Sequence, residues 1–137
     1  MWRLRARITF AAMNDRRLAI LIGLVAASLA VMSILHLAGA FDGRTDTGAG
    51  IPEAIIGVVL VVGALALVRN GDRRAALAAL GFAIAGFLVG LRFTIDDGGV
   101  QLAYHAAVLP VLALGLVLAT RPARTDDGGR AGSRRGR

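Results

Sequence analysis

The chain has 137 residues, 56% of them hydrophobic and 18 of them glycine, with a net charge of +7 and a mean hydropathy of +0.67. That is too apolar for an ordinary soluble domain and reads as an all-α integral membrane protein. The absence of cysteine excludes disulfides, thiolate-held zinc, iron–sulfur clusters, covalent c-type haem and thiol catalysis. All 16 basic residues are arginine; with the high alanine content, this has the look of GC-rich bacterial coding. They fall in short clusters between apolar stretches with no recognition motif beside them, so no nucleic-acid partner is expected.

Residues 1–17, MWRLRARITFAAMNDRR, form a basic leader with two readings. One is a short interfacial helix, with Trp2, Phe10 and Met13 toward lipid and arginines toward anionic headgroups. The other is an unstructured leader that only sets topology. Met13 is an alternative start. Residues 18–120 hold four apolar spans, 18–40, 51–68, 75–93 and 100–120, each near the ~17–25 residues that a helix needs to cross ~30 Å of hydrocarbon. No period-two alternation runs through them, so they are expected to be helices rather than barrel strands. The apolar run after Arg16-Arg17 exceeds the ~7–15 residues of a signal-peptide core, which favours a retained first helix over a secretion signal cleaved near Ala38-Gly39-Ala40.

The connectors FDGRTDTGAG, RNGDRR and FTIDDGG are short and rich in turn formers. They make consecutive helices antiparallel neighbours, and an up-down-up-down four-helix transmembrane bundle follows. Arginines 3, 5, 7, 16 and 17 precede the first span, 69, 73 and 74 lie in the second connector, and six more follow the last span. Only Arg44 and Arg92 fall on the other side, so the positive-inside rule makes both termini cytoplasmic. The expected location is a bacterial cytoplasmic membrane. The tail 121–137, rich in Gly, Arg and Ser, is expected to be disordered and to meet anionic lipid at the cytoplasmic face.

Ionisable groups at membrane depth are costly, so each is a functional candidate. His36 ends the first span, Glu53 opens the second, Arg92 closes the third, and Tyr104 and His105 lie early in the fourth. His36 is ~6 Å and His105 ~7.5 Å inside the same interface at ~1.5 Å per residue. These five residues are expected to form one polar cluster, roofed by Asp96 and Asp97. Ser33, Gly57 and the series Ala78, Gly81, Ala85 are the small or polar neighbours expected to turn these faces inward. Pro110 removes a helical N–H and frees the carbonyl of Ala106, next to His105. Gly57, Gly81, Gly86 and Gly90 are the expected helix-packing positions, Gly86 and Gly90 forming a GxxxG that also suits a homo-oligomer.

Three roles are compatible with the cluster. In the first it is structural: Arg92 pairs with Glu53 or Asp96, and the histidines are satisfied by Ser33, Tyr104 or carbonyls. In the second it handles a small ligand, an ion or a proton, acting as an oligomer. In the third, His36 and His105 hold b-type haem, or bind a divalent metal together with Glu53. No GxSxG, HExxH or phosphate-binding loop occurs, so no catalytic residue is assigned and the chain reads as a non-enzyme.

Overall fold

A computed structural model describes residues 2–41, 43–95 and 99–121, with side chains from residue 14 onward. The chain forms four helices: α1 (Trp2–Leu37), α2 (Thr47–Asn70), α3 (Arg73–Thr94) and α4 (Gly99–Thr120). All four are long and apolar enough to cross a membrane, α1 through its Asn14–Leu37 portion. At ~1.5 Å per residue α1 is about 54 Å long. The leader is therefore helical and continuous with the first span, without a break near residue 17. Asp96, Asp97 and the tail beyond Arg121 lie outside the described residues.

Each helix buries one stripe, and the stripes carry the packing. On α1 it runs through Leu18, Ile22, Val25, Leu29 and Met32, and on α2 through Ile56, Leu60 and Leu67. On α3 it runs through Ala76, Leu80, Ala83 and Phe87, and on α4 through Val108, Leu112 and Ala119. Spacings of three and four residues put each set on one helical face. Large apolar residues such as Leu24, Val58, Leu88 and Leu114 are exposed on the opposite faces. A bundle apolar inside and out is what a hydrocarbon solvent selects.

Antiparallel order is visible in the close contacts. Gly57 of α2 lies against Ala26 and Leu29 of α1, Gly63 against Ala75, Ala76 and Ala79 of α3, and Gly90 of α3 against His105 of α4. Helix α1 packs along α2, α2 along α3 and α3 along α4, while α1 and α4 meet over a shorter length.

The turns explain where the helices stop. Asp46 caps α2, its Oδ1 accepting the Ala49 N–H at 3.1 Å. This cap starts α2 four residues before the hydropathy-based boundary at 51. Gly71 ends α2 in the left-handed conformation at φ 65, which glycine adopts without a Cβ clash. The next residue, Asp72, starts α3 by accepting the N–H groups of Arg74 and Ala75 at 3.0 and 3.1 Å. Helix α4 continues through Pro110.

The bundle thus has two chemically distinct ends. The arginine end gathers Arg16, Arg17, Arg69, Arg73, Arg74 and Arg121. There Arg73 donates to Asp15 Oδ1 through Nε at 2.9 Å and Nη2 at 2.6 Å, and to the Arg121 carbonyl through Nη1 at 2.7 Å. The histidine end carries His36, Asp46, Glu53 and the start of α4.

Candidate functional site

His36 and Glu53 continue the buried stripes of α1 and α2. His36 follows Leu29, Met32 and Ser33 at helical spacing, and Glu53 precedes Ile56 and Leu60. The two stripes face each other, so the polar groups at their ends meet. Ser33 Oγ donates to the Gly50 carbonyl at 2.7 Å and fixes the register one turn below.

The connector then folds back over His36. Its carbonyl accepts the N–H of Gly39 at 3.1 Å and that of Asp46 at 3.0 Å. Gly39 has φ +70, and a Cβ there would stand 3.0 Å from the backbone of Arg44, so the fold-back requires glycine on both counts. Held this way, Asp46 puts Oδ2 3.5 Å from His36 Nδ1, while Glu53 Oε1 lies 3.7 Å from His36 Nε2. The imidazole is 2% exposed and bridges a carboxylate that is 45% exposed and one that is 10% exposed. Glu53 Oε2 is buried and has no hydrogen-bond partner among the described residues. Phe41 covers the imidazole, its ring centre 4.8 Å away. A cavity of about 100 Å³ lined by His36, Phe41, Arg44, Asp46 and Gln101 opens beside them.

Tyr104 and His105 form a second group, on α4. His105 Nδ1 donates to the Gln101 carbonyl of its own helix at 2.8 Å. Nε2 is packed against α3, 2.6 Å from where a Cβ on Gly90 would be. Phe87 holds both rings, its centre 5.1 Å from His105 and 5.9 Å from Tyr104. Ser28 Oγ donates to the Val25 carbonyl at 2.8 Å, so the 3.0 Å contact between Ser28 and Tyr104 runs from the phenol to the serine oxygen.

Of the five residues expected to form one cluster, the structure pairs His36 with Glu53, and Tyr104 with His105. Arg92 lies on the exposed face of α3. The inner stripe of α3 is Ala76, Leu80, Ala83, Phe87 and Thr94, which turns Arg92 to the exposed face with Ala78, Gly81 and Ala85. Among the described residues the ion-pair partner of Glu53 is His36; the alternative Arg92–Asp96 pair lies outside the described residues. Among the packing glycines, Gly57 and Gly86 lie at helix contacts: a Cβ on Gly86 would reach within 2.5 Å of Ile56 Cδ1. Gly90 is the recess for His105. Gly81 has nothing within 4 Å of its Cβ position and is exposed. Sequence reasoning missed Asp46, whose place before the TGAG that opens α2 is an N-cap signal. Gln101, Ser28 and Phe87 carry no comparable signal, because only the packing gives them partners.

The geometry does not fit haem or a metal on His36 and His105. The two nitrogens of His36 face separate carboxylates on opposite sides of the ring, and those of His105 face a carbonyl and the α3 backbone. Among the described residues no three of His, Asp or Glu are arranged to hold a metal ion. The helices and this site define a class, a small multi-pass-type helical bundle with a carboxylate–imidazole–carboxylate chain at one end. Comparison with protein families, with curated proteins and with solved structures yields no match.

Proposed function

We propose that the chain is a membrane protein that takes up protons at its histidine end and stores them on the His36–Glu53 pair. The arginine distribution supports an orientation with the arginine end in the cytoplasm and the histidine end outside. The observation that carries the reading is one buried imidazole set between a wet carboxylate and a dry one. Neutral imidazole has a single N–H and serves one carboxylate; imidazolium has two and serves both. At 3.5 and 3.7 Å the contacts are longer than the ~2.7–3.2 Å of a formed hydrogen bond, so neither locks the ring. A proton arriving at Asp46 can pass to His36 Nδ1, and the Nε2 proton can move on to Glu53. The cavity beside His36 has room for several waters to connect Asp46 to bulk solvent. Ionised, Glu53 would stand at membrane depth with one oxygen unmet, a costly arrangement that a bound proton relieves.

Tyr104 and His105 take the structural role in this reading. Each makes a hydrogen bond within the bundle and packs on Phe87, which fixes α4 on α3.

Infrared difference spectroscopy of the purified protein between acidic and neutral pH tests the proposal. A carboxylic acid C=O band should appear on acidification, vanish in Glu53→Gln and change in His36→Gln. After a pH jump, Asp46→Asn should slow the appearance of the band without removing it. If the wild type shows no titrating band, and His36→Gln and Glu53→Gln simply lose stability, the pair is a register lock.

A further inference from the structure

The seam between α1 and α4 is unlike the other three. The two helices are tied at the arginine end by Arg73, which bridges Asp15 to the Arg121 carbonyl. Part-way along they are tied again by the Ser28–Tyr104 pair. Between the ties an open groove of about 550 Å³ runs along the bundle, walled by Ile20, Leu24 and Val25 of α1 and Ala107 and Val111 of α4. Arg17 lines one end of it, and Ser28 and Tyr104 the other.

Three features restrict what fits. From Arg17 to Ser28 the helix rises about 16 Å at ~1.5 Å per residue, close to half of a ~30 Å hydrocarbon core. The hydroxyls at the deep end are already engaged, the phenol with Ser28 and the serine with the Val25 carbonyl, so a guest needs no polar group there. The mouth presents a guanidinium, which pairs well with phosphate oxygens. A second copy of the chain in the same orientation suits the groove poorly. It would bring its own Arg16, Arg17 and Arg74 to the same depth, like charges against like.

We propose that the α1/α4 groove binds one acyl chain of an anionic phospholipid from the leaflet beside the arginine end, with the phosphate held by Arg17. The site rests on the bilayer reading of the four helices and is independent of proton handling at the other end. A lipid there would complete the bundle where α1 and α4 leave it open. It would also occupy the face of Tyr104 that the protein leaves uncovered.

Native mass spectrometry of the detergent-purified protein, offered phosphatidylglycerol and phosphatidylcholine of equal chain length, provides the test. One phosphatidylglycerol should be retained at several-fold higher occupancy than phosphatidylcholine. Arg17→Gln should abolish that preference, while Arg16→Gln, outside the groove lining, should keep it. Ala107→Trp fills the groove and should reduce retention of both lipids; Val111→Phe is the substitute if the tryptophan variant does not fold. Equal retention of the two lipids by the wild type, or equal losses in Arg17→Gln and Arg16→Gln, would overturn the site in favour of general attraction to a basic surface. A dimer in the wild-type spectrum that Ala107→Trp dissociates would also overturn it, with a second copy as the occupant.

Discussion

The glycines of α3 show how a single methyl group separates the two faces of one helix. A Cβ at Gly90 meets His105 Nε2 at 2.6 Å, and that ring cannot swing away, because its Nδ1 is bound to the Gln101 carbonyl and Phe87 covers it. Gly90→Ala should therefore cost about 1–3 kcal/mol by overpacking. At Gly86 the obstacle is Ile56 Cδ1 at 2.5 Å, the far end of a side chain that can change rotamer, so Gly86→Ala should cost less. Gly81 meets nothing, and alanine there should be neutral or stabilising by up to about 1 kcal/mol through helix propensity. Denaturant titration of the three variants in one detergent checks the order; equal effects would mean that α3 is rotated from the orientation described. His36 and Glu53 obey a different logic. Removing one member of a buried pair strands the other, at a cost on the order of 3 kcal/mol, whereas removing both leaves nothing stranded. His36→Leu and Glu53→Leu should each destabilise, and the double variant should recover part of the loss in a double-mutant cycle. Simple additivity would show that the 3.7 Å contact carries no coupling.

Among the elements, α2 and α3 approach backbone to backbone at Gly63. A Cβ on Gly63 would stand 2.6 Å from Ala79 Cβ and 3.3 Å from the Ala75 carbonyl, and neither atom can move without its helix. Gly63→Ala should accordingly be the most damaging of the glycine-to-alanine changes, exceeding Gly86→Ala in the same titration, since α2 and α3 must separate to admit it. The four spans were legible in the sequence because hydropathy over some twenty residues is a strong signal. Their ends were less so. Hydropathy places the start of α2 at 51, after Thr47, Gly48, Ala49 and Gly50 have lowered the average, but the Asp46 cap sets the start at Thr47. The site was half legible for a related reason. His36 and Glu53 stand out as polar residues in apolar spans, and helical spacing from Ser33 and Gly57 puts them on inward faces. Arg92 could not be oriented in the same way, because α3 has small residues on both sides: Ala76, Ala79 and Ala83 inside, and Ala78, Gly81 and Ala85 outside. Small side chains mark a close approach only where a neighbour exists, and the sequence does not say which side has one.

For the whole molecule, the contrast between the two ends implies an orientation and a mechanical asymmetry, both open to measurement. Since the chain has no cysteine, a single introduced thiol reports its own position. Thr45 and Asn70 are exposed, one at each end of α2. An impermeant thiol reagent outside intact cells should label Thr45→Cys and spare Asn70→Cys; the reverse pattern would invert the orientation and place the His36 site on the cytoplasmic side. The mechanical asymmetry lies in how α4 is held. Its attachment to α3 runs along the helix, but its attachment to α1 is short and ends at Arg73, whose side chain is 26% exposed and binds an Asp15 side chain that is 21% exposed. Partial exposure screens the charge, so the two-pronged contact is worth about 1–2 kcal/mol rather than the larger value of a dry pair. Arg73→Gln should lower stability by roughly that amount, and Asp15→Asn in the same background should add little, because the bond is already lost. The loss should be local: hydrogen exchange should rise in the last turn of α4, near Arg121, and around Asp15 of α1, while the amides around Gly57 and Gly63 stay protected. Uniform deprotection of all four helices would show instead that Arg73 supports the bundle as a whole, and that the α1/α4 seam is no weaker than its neighbours.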